Sequence, residues 1–199
     1  MKRTRSAYFA TGILVLLVGA FGSTTSAKVE ENTTNFEIFA GSYSPGPDEL
    51  DSEPTFGFRY GFDFTEKMGL QFELSRTSAD DDFTIGMVTG NFDLDVTFLD
   101  VSFVRYFKTD GRISPTLYGG IGGAFHSLDL TASGPLVAVA FQNIEDDTLT
   151  VHAGFGARIQ LGESRAYLRP LSRIRWFEQR EDDEIDTYFS LAIGWIIGG

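Results

Sequence analysis

Residues 55–64 read Thr55-Phe56-Gly57-Phe58-Arg59-Tyr60-Gly61-Phe62-Asp63-Phe64, and their pattern is the clearest indication of the fold. Its even-numbered positions are all aromatic, whereas its odd-numbered positions are small or polar and include Arg59 and Asp63. Alternation with a period of two over a stretch of this length is typical of a β-strand. A wholly aromatic face suits a wall in contact with lipid better than the core of a small water-soluble domain.

Alternation of the same kind recurs along the chain and predicts an all-β architecture. Eight strands are expected, at about 35–43, 55–64, 69–75, 92–107, 116–126, 148–161, 165–177 and 185–197. In the stretch 92–107 the apolar residues change parity, which predicts a β-bulge near Phe98-Leu99. Pro170 predicts a kink or a bulge in its strand, and the glycines of 116–126 predict strong curvature and close approach of side chains.

The connections between these strands alternate in length. Those at 65–68, 108–115 and 162–164 are short. The others are long and acidic, and lie at about 44–53, 76–91, 127–147 and 178–184. Short turns at one end and long loops at the other indicate a barrel that spans an outer membrane. The acidic loops are expected to be solvated surface, with divalent-cation bridging to phosphorylated lipopolysaccharide as the alternative.

The N-terminus has the organisation of an export signal. Lys2, Arg3 and Arg5 precede the apolar run 13–18, and small residues follow at 25–27. We therefore expect a cleaved secretory signal peptide at 1–27 and a single domain at 28–199. Loss of three basic residues and no acid would change the formal charge from -12 to -15, which argues against a nucleic-acid partner.

Three stretches carry a resemblance to a known family: the alternating residues 56–62, the glycine-rich residues 114–125, and Ala-Gly-Phe-Gly-Ala-Arg at 153–158. The chain resembles the OmpA-like and OmpX-like barrel domains of the outer membrane. The resemblance implies an eight-stranded antiparallel up-and-down transmembrane β-barrel in the cell outer membrane. We expect no cofactor and no catalysis. It implies outer-membrane lipid, lipopolysaccharide and the barrel assembly machinery as partners of a monomer.

Charged residues of both signs share the face predicted to point into the barrel. They are Glu37, Arg59, Asp63, Glu73, Arg158, Arg169, Arg173 and Arg175. An eight-stranded barrel is narrow enough for side chains to fill its interior. These residues are therefore interpreted as a structural network that plugs the lumen, with a narrow or gated polar conduit as the alternative.

The remaining candidates define the functions considered. His126 and His152 are expected to face inward and are interpreted as ordinary lumen histidines. An approach of the two under the third long loop, which would form a metal or proton-sensing site, is the alternative. The pair His126-Ser127 is a poor catalytic candidate, because adjacent strand residues point to opposite faces. The leading interpretation is a structural or surface-interaction role, with an extracellular partner bound through the acidic loops. Lipid A modification is the third reading.

Passive uptake of a small hydrophobic molecule, as in OmpW-like barrels, is the second reading. It rests on an apolar run in the third long loop, where Val137, Val139 and Phe141 are the candidates for a ligand entrance. An exposed apolar stretch on a surface loop is unusual. A hairpin that extends above the membrane is the competing explanation for the same run.

Overall fold

The computed structural model describes residues 29–46, 52–85, 88–107, 110–134, 137–162, 164–178 and 185–198, with side chains left out at 79–92 and 128–146. Eight strands follow one another along the chain: β1 (Thr33–Ser44), β2 (Glu53–Thr65), β3 (Met68–Ile85), β4 (Val88–Tyr106), β5 (Ile113–Gly134), β6 (Val137–Gln160), β7 (Ala166–Phe177) and β8 (Asp186–Gly198). No helix in the described residues is long and apolar enough to cross a membrane.

Each strand pairs antiparallel with the next, and β1 pairs with β8 to close the barrel. The eight-stranded antiparallel architecture predicted from the alternation is therefore confirmed. Closure gives every strand two neighbours within the barrel wall, which satisfies the backbone hydrogen bonds where no water is available. The short connection at 65–68 is a tight turn in which Thr65 pairs with Met68.

The faces of β2 have the orientation that the sequence indicates. Phe56, Phe58 and Tyr60 lie on the outside, with 60, 47 and 49% of their surface exposed. Arg59 and Asp63 point into the barrel, with 0 and 2% exposed. The same division holds around the wall, so the molecule has an apolar outer belt and a polar interior, the reverse of a water-soluble barrel.

Two of the long loops predicted from the sequence are wrong in their extent. Residues 76–91 and 127–147 fall largely within strands, because β3 pairs with β4 as far as Ile85 and β5 pairs with β6 as far as Gly134. These stretches were predicted as loops because they are rich in acidic residues. A hairpin that stands in water has no apolar face to reveal its strands, so its period-two signal is weak.

The β-bulge predicted near Phe98-Leu99 is also wrong, since β4 keeps one register against both β3 and β5. Phe98 is buried inside the barrel, and Asp95 lies on the outer face. The prediction assumed lipid along the whole strand, whereas Asp95 lies beyond the apolar belt. There it accepts hydrogen bonds from Arg76 at 2.7 Å and from Ser78, which lower the pKa of its carboxyl group.

Pro170 interrupts one ladder without shifting it. In the ladder between β6 and β7, the pairs on either side of the gap are Gly156–Leu171 and Ile159–Leu168, and both belong to the same register. On its other side, Pro170 pairs with Leu191 of β8. A proline has no N–H to donate, so a gap in the ladder suffices and no bulge forms.

The glycines of β5 permit the close approach expected of them. A Cβ atom on Gly120 would lie 2.0 Å from the carbonyl oxygen of Val101 and 2.8 Å from Nε2 of His152.

Candidate functional site: an ion-pair network inside the barrel

All eight charged residues predicted to face the lumen lie inside it. They come from five strands, and each is at most 3% exposed: Glu37, Arg59, Asp63, Glu73, Arg158, Arg169, Arg173 and Arg175. Buried charges are costly unless they are paired and hydrogen-bonded. The contacts among them therefore decide what the interior can do.

A run of ion pairs crosses the barrel at mid-height. Arg59 on β2 donates to Glu73 on β3 at 2.6 Å and lies 3.4 Å from Glu37 on β1. Arg173 on β7 donates to both carboxylate oxygens of Glu73, at 2.6 and 3.2 Å. Fork-to-fork pairs of this kind are among the stronger hydrogen-bonded contacts in proteins. The run thus links the first three strands to the seventh.

Asp100 on β4 extends the run and was missed in the sequence. It accepts from Arg173 at 2.9 Å and from Arg175 at 2.5 Å. The bulge expected near Phe98-Leu99 would also have left Asp100 on the inward face, so its parity was an available signal that was not used. Because β4 keeps a single register, Asp100 shares the inward face with Ser102. Its inward orientation could therefore have been predicted from the sequence.

A second cluster lies towards the short turns. Arg158 donates to Asp63 at 2.9 Å and to the hydroxyl oxygen of Tyr106 at 2.6 Å, and the Tyr106 hydroxyl donates to Asp63 at 2.9 Å. Arg169 also donates to Tyr106, at 3.3 Å, and forms an ion pair with Glu37 at 2.7 Å. Arg169 thereby joins this cluster to the run above it.

Inward tyrosines were not singled out from the sequence, although they complete the network. Tyr167 donates to Glu37 at 2.7 Å, and Arg59 donates to Tyr188 at 3.2 Å and to Ser190 at 2.8 Å. Their parity within β7 and β8 was the available signal. Because tyrosine is also common in the outer aromatic belt, that signal was weak.

An apolar layer covers the network on the side of the long hairpins. Its inward, buried members include Phe39, Tyr43, Val96, Phe98 and Ala124. The guanidinium carbon of Arg59 lies 3.9 Å from the ring centre of Phe39, and that of Arg175 lies 3.8 Å from the ring centre of Phe98. These stacked contacts join the charged and apolar layers.

The two histidines do not approach each other, so that alternative is wrong. His152 lies opposite Gly120 and His126 opposite Asp146, which separates them by roughly 20 Å along the sheet. The ring of His126 instead lies 6.2 Å from that of Phe177. Within the described residues, no group of three or more His, Cys, Asp or Glu side chains is placed to hold a metal ion.

His152 belongs to an arrangement that has the composition of a hydrolase triad. Its Nε2 lies 2.7 Å from Oγ of Ser102, and its Nδ1 lies 3.7 Å from Oδ1 of Asp100. The second distance is too long for a hydrogen bond, and all three side chains are at most 1% exposed. A nucleophile must reach its substrate, so we interpret these residues as packing of the lumen.

The candidate ligand entrance lies on β6, which begins at Val137. The side chains of Val137, Val139 and Phe141 are outside the described residues. So are the signal peptide predicted at 1–27, the side chains of Asp80–Asp82, and residues 179–184.

The outer apolar belt, the closed antiparallel wall and the charged interior define a transmembrane β-barrel of the bacterial outer membrane. The chain belongs to the family described as the outer membrane protein beta-barrel domain, whose model matches residues 13–195. The protein is accordingly located in the outer membrane.

Solved structures of outer-membrane barrels are similar in fold. Ail of Yersinia pestis, in complex with the heparin analogue sucrose octasulfate, is 12% identical with a TM-score of 0.57, over 84% of this chain and 99% of that one. A major outer membrane protein of Thermus thermophilus is 13% identical, with a TM-score of 0.58 over 82% of this chain and 99% of that one.

The N-terminal barrel domain of Pseudomonas aeruginosa OprF is 11% identical, with a TM-score of 0.52 over 84% of this chain and 98% of that one. Identities this low show a shared fold alone. Among curated protein sequences, none matches this chain.

Proposed function

We propose that this protein is a plugged, non-conducting barrel that anchors an acidic β-sheet outside the cell for contacts at the surface. The observation that carries the first part is the pair between Glu73 and Arg173. These residues lie on β3 and β7, four strands apart in a barrel of eight, and so on opposite walls. A contact of this kind obstructs the axis of the lumen at mid-height.

The layers on either side support the plug. Below the pair, Arg158 and Tyr106 meet Asp63 within hydrogen-bonding distance. Above it, Tyr43 and Phe98 lie with their ring centres 5.3 Å apart. An ion that crossed the lumen would have to displace charged pairs in one layer and packed rings in another.

The second part of the proposal rests on how far four strands extend. The pairing of β2 with β3 ends at Thr77, and that of β7 with β6 ends at Thr150, but β3 to β6 continue to pair with one another. Beyond Thr150, β6 runs for roughly 40 Å more. Long hairpins of outer-membrane barrels stand on the extracellular side.

The negative charge of this extension, which comprises the parts of β3 to β6 beyond Thr77 and Thr150, favours cationic partners. Its strands carry acidic runs at 80–82 and 145–147. Ail, a structural neighbour, was crystallised with the heparin analogue sucrose octasulfate, which is a polyanion. Like charges repel, so the acidic sheet proposed here would disfavour such a ligand and attract basic segments of proteins.

Conductance across a planar bilayer tests the plug. We expect no stable channel from the wild-type protein. The double variant Glu73→Ala with Arg173→Ala removes both arms of the pair across the lumen and, because the layers above and below it remain, should give brief openings to small ions and not a stable channel. The double variant Arg76→Ala with Asp95→Ala, which removes an ion pair on the outer face, is the matched control and should stay closed. A stable channel in the wild type would refute the plug.

Uptake of a small hydrophobic molecule remains the second reading from the sequence. It predicts that Val137→Asp with Val139→Asp slows uptake into cells while the barrel stays folded. Lipid A modification, the third reading, predicts an altered lipid A mass spectrum that His126→Ala or Ser127→Ala abolishes.

A further inference from the structure

One positive charge interrupts an apolar row on the outside of the barrel. Outward positions of β4 carry Leu99, Val101 and Phe103, and Phe107 follows the strand on the same face; all four are exposed. Arg105 stands between the two phenylalanines and is also exposed. A guanidinium in such a setting needs an anion or water within reach.

The neighbouring strands surround this arginine with apolar side chains. Arg105 lies between Met68 of β3 and Leu117 of β5. Leu117 is itself exposed on the outer face. The charge therefore stands among apolar side chains near the short-turn end of the belt and not in a polar patch of the wall.

A second cation lies on the adjoining turn. The backbone N–H of Tyr106 donates to the carbonyl oxygen of Lys67 at 2.8 Å, which fixes the turn between β2 and β3 beside the end of β4. Lys67 is exposed. The backbones of Lys67 and Arg105 therefore adjoin at one corner of the short-turn end, from which two long, exposed side chains can reach the same headgroup.

Neither cation has an ion pair with a described residue. The neighbouring acid, Glu66, is half-buried and has an interaction of its own. At the opposite end of the wall, Arg76 is also exposed and outward, but its guanidinium is 2.7 Å from Asp95. Arg76, near the long hairpins, is therefore paired with an acidic residue of the described chain, whereas Arg105 is not.

We propose that Lys67 and Arg105 form a binding site for the phosphate of an anionic phospholipid in the periplasm-facing leaflet. The short turns of such barrels face the periplasm, so this corner lies at the depth of that leaflet's headgroups. Arginine and lysine side chains extend along apolar surface and place their charge in the headgroup layer. Acyl chains of the same lipid would lie along Phe103 and Leu117 on the wall above.

The site is tested with the purified barrel folded into vesicles of phosphatidylcholine, alone or with added phosphatidylglycerol. Native mass spectrometry of the protein released from these vesicles measures the retained lipid. We expect preferential retention of phosphatidylglycerol by the wild type. Each charge removed should weaken retention about fivefold, so Lys67→Gln with Arg105→Gln should weaken it about 25-fold. Arg76→Gln, at the other end of the wall, is the matched control and should retain the lipid as the wild type does.

A further variant distinguishes a role of the positive charge from a structural role of Arg105. Arg105→Lys preserves the charge and should preserve the preference, which a purely structural role of the guanidinium does not predict. If the double glutamine variant does not fold, the single variants Lys67→Gln and Arg105→Gln decide instead, since each should weaken retention of phosphatidylglycerol about fivefold. Equal retention of both lipids by the wild type, or an unchanged preference in the double variant, would overturn the proposal. Because these measurements do not involve the lumen, they are independent of the plug.

Discussion

Glu73 and Arg173 face each other across the full width of the barrel and are joined by two hydrogen bonds, of 2.6 and 3.2 Å. Glu73 also accepts from Arg59, and Arg173 also donates to Asp100. The pair is therefore the centre of the network and not an isolated bridge. Removal of either residue leaves at least two buried charges with fewer partners.

The first prediction concerns Arg173→Leu. It removes a partner from both Glu73 and Asp100, and loss of one member of a buried ion pair costs about 3–5 kcal/mol. We expect the free energy of unfolding in detergent micelles, measured by urea titration, to fall by that amount. Arg76→Leu breaks a solvent-exposed pair, which contributes little, and should leave the free energy of unfolding nearly unchanged. Equal losses in the two variants would contradict the central role of Arg173.

The second prediction compares two adjacent glycines. Gly120→Ala would place a Cβ atom 2.0 Å from the carbonyl oxygen of Val101, so the strands must separate locally. Overpacking of this kind costs about 1–3 kcal/mol or more. Gly119 points outward, and a Cβ atom added there would have no other atom within 4 Å, so Gly119→Ala should change stability by less than about 0.5 kcal/mol. Thermal unfolding followed by the gel shift of the folded barrel distinguishes them.

The third prediction compares two buried tyrosines. The hydroxyl of Tyr106 contacts Asp63, Arg158 and Arg169, and hydrogen bonds to charged groups contribute about 1.5–3 kcal/mol. Tyr106→Phe should lower the free energy of unfolding by about that amount. The hydroxyl of Tyr118 has no hydrogen-bond partner among the described residues, so Tyr118→Phe should be nearly neutral. The reverse order of the two effects would argue against the lower cluster.

The fourth prediction separates the barrel from its extension. Ala79 pairs with Leu94, so residues 80–93 are replaced by an Asn-Gly turn, which suits a two-residue hairpin. Because the lumen network lies below this point, the unfolding midpoint should stay close to that of the wild type. Binding of basic protein segments to whole cells should decrease. A barrel that no longer folds would show that the extension is part of the stable unit.

The barrel itself could be predicted well from the sequence, and for a physical reason. Lipid outside and charge inside impose a strict alternation on residues such as Phe58 and Arg59, which is visible along the whole of β2. Where water replaces lipid, that rule ends. Asp95 then lies on the outside and Phe98 on the inside, which is why the bulge was predicted wrongly.

Partners within the lumen could not be predicted. Parity places Glu73 and Arg173 on inward faces, but their contact depends on the stagger of strands that are distant in sequence. That stagger is set by closure of the whole sheet. The same limit applies to His152, whose position opposite Gly120 follows from the register of β5 and β6 and from nothing local.

The pairing of β1 with β8 has a consequence for how the molecule folds. Phe36 lies opposite Trp195, so the two ends of the domain must meet before the wall is complete. Contacts this distant in sequence slow folding, since a long loop must close before they form. Arg59 receives Tyr188 and Ser190 as acceptors only at that step. The contacts of Arg59 with β8 therefore form only once the last strand has arrived, whereas its ion pairs with Glu37 and Glu73, on the two adjacent strands, need no closure of the wall.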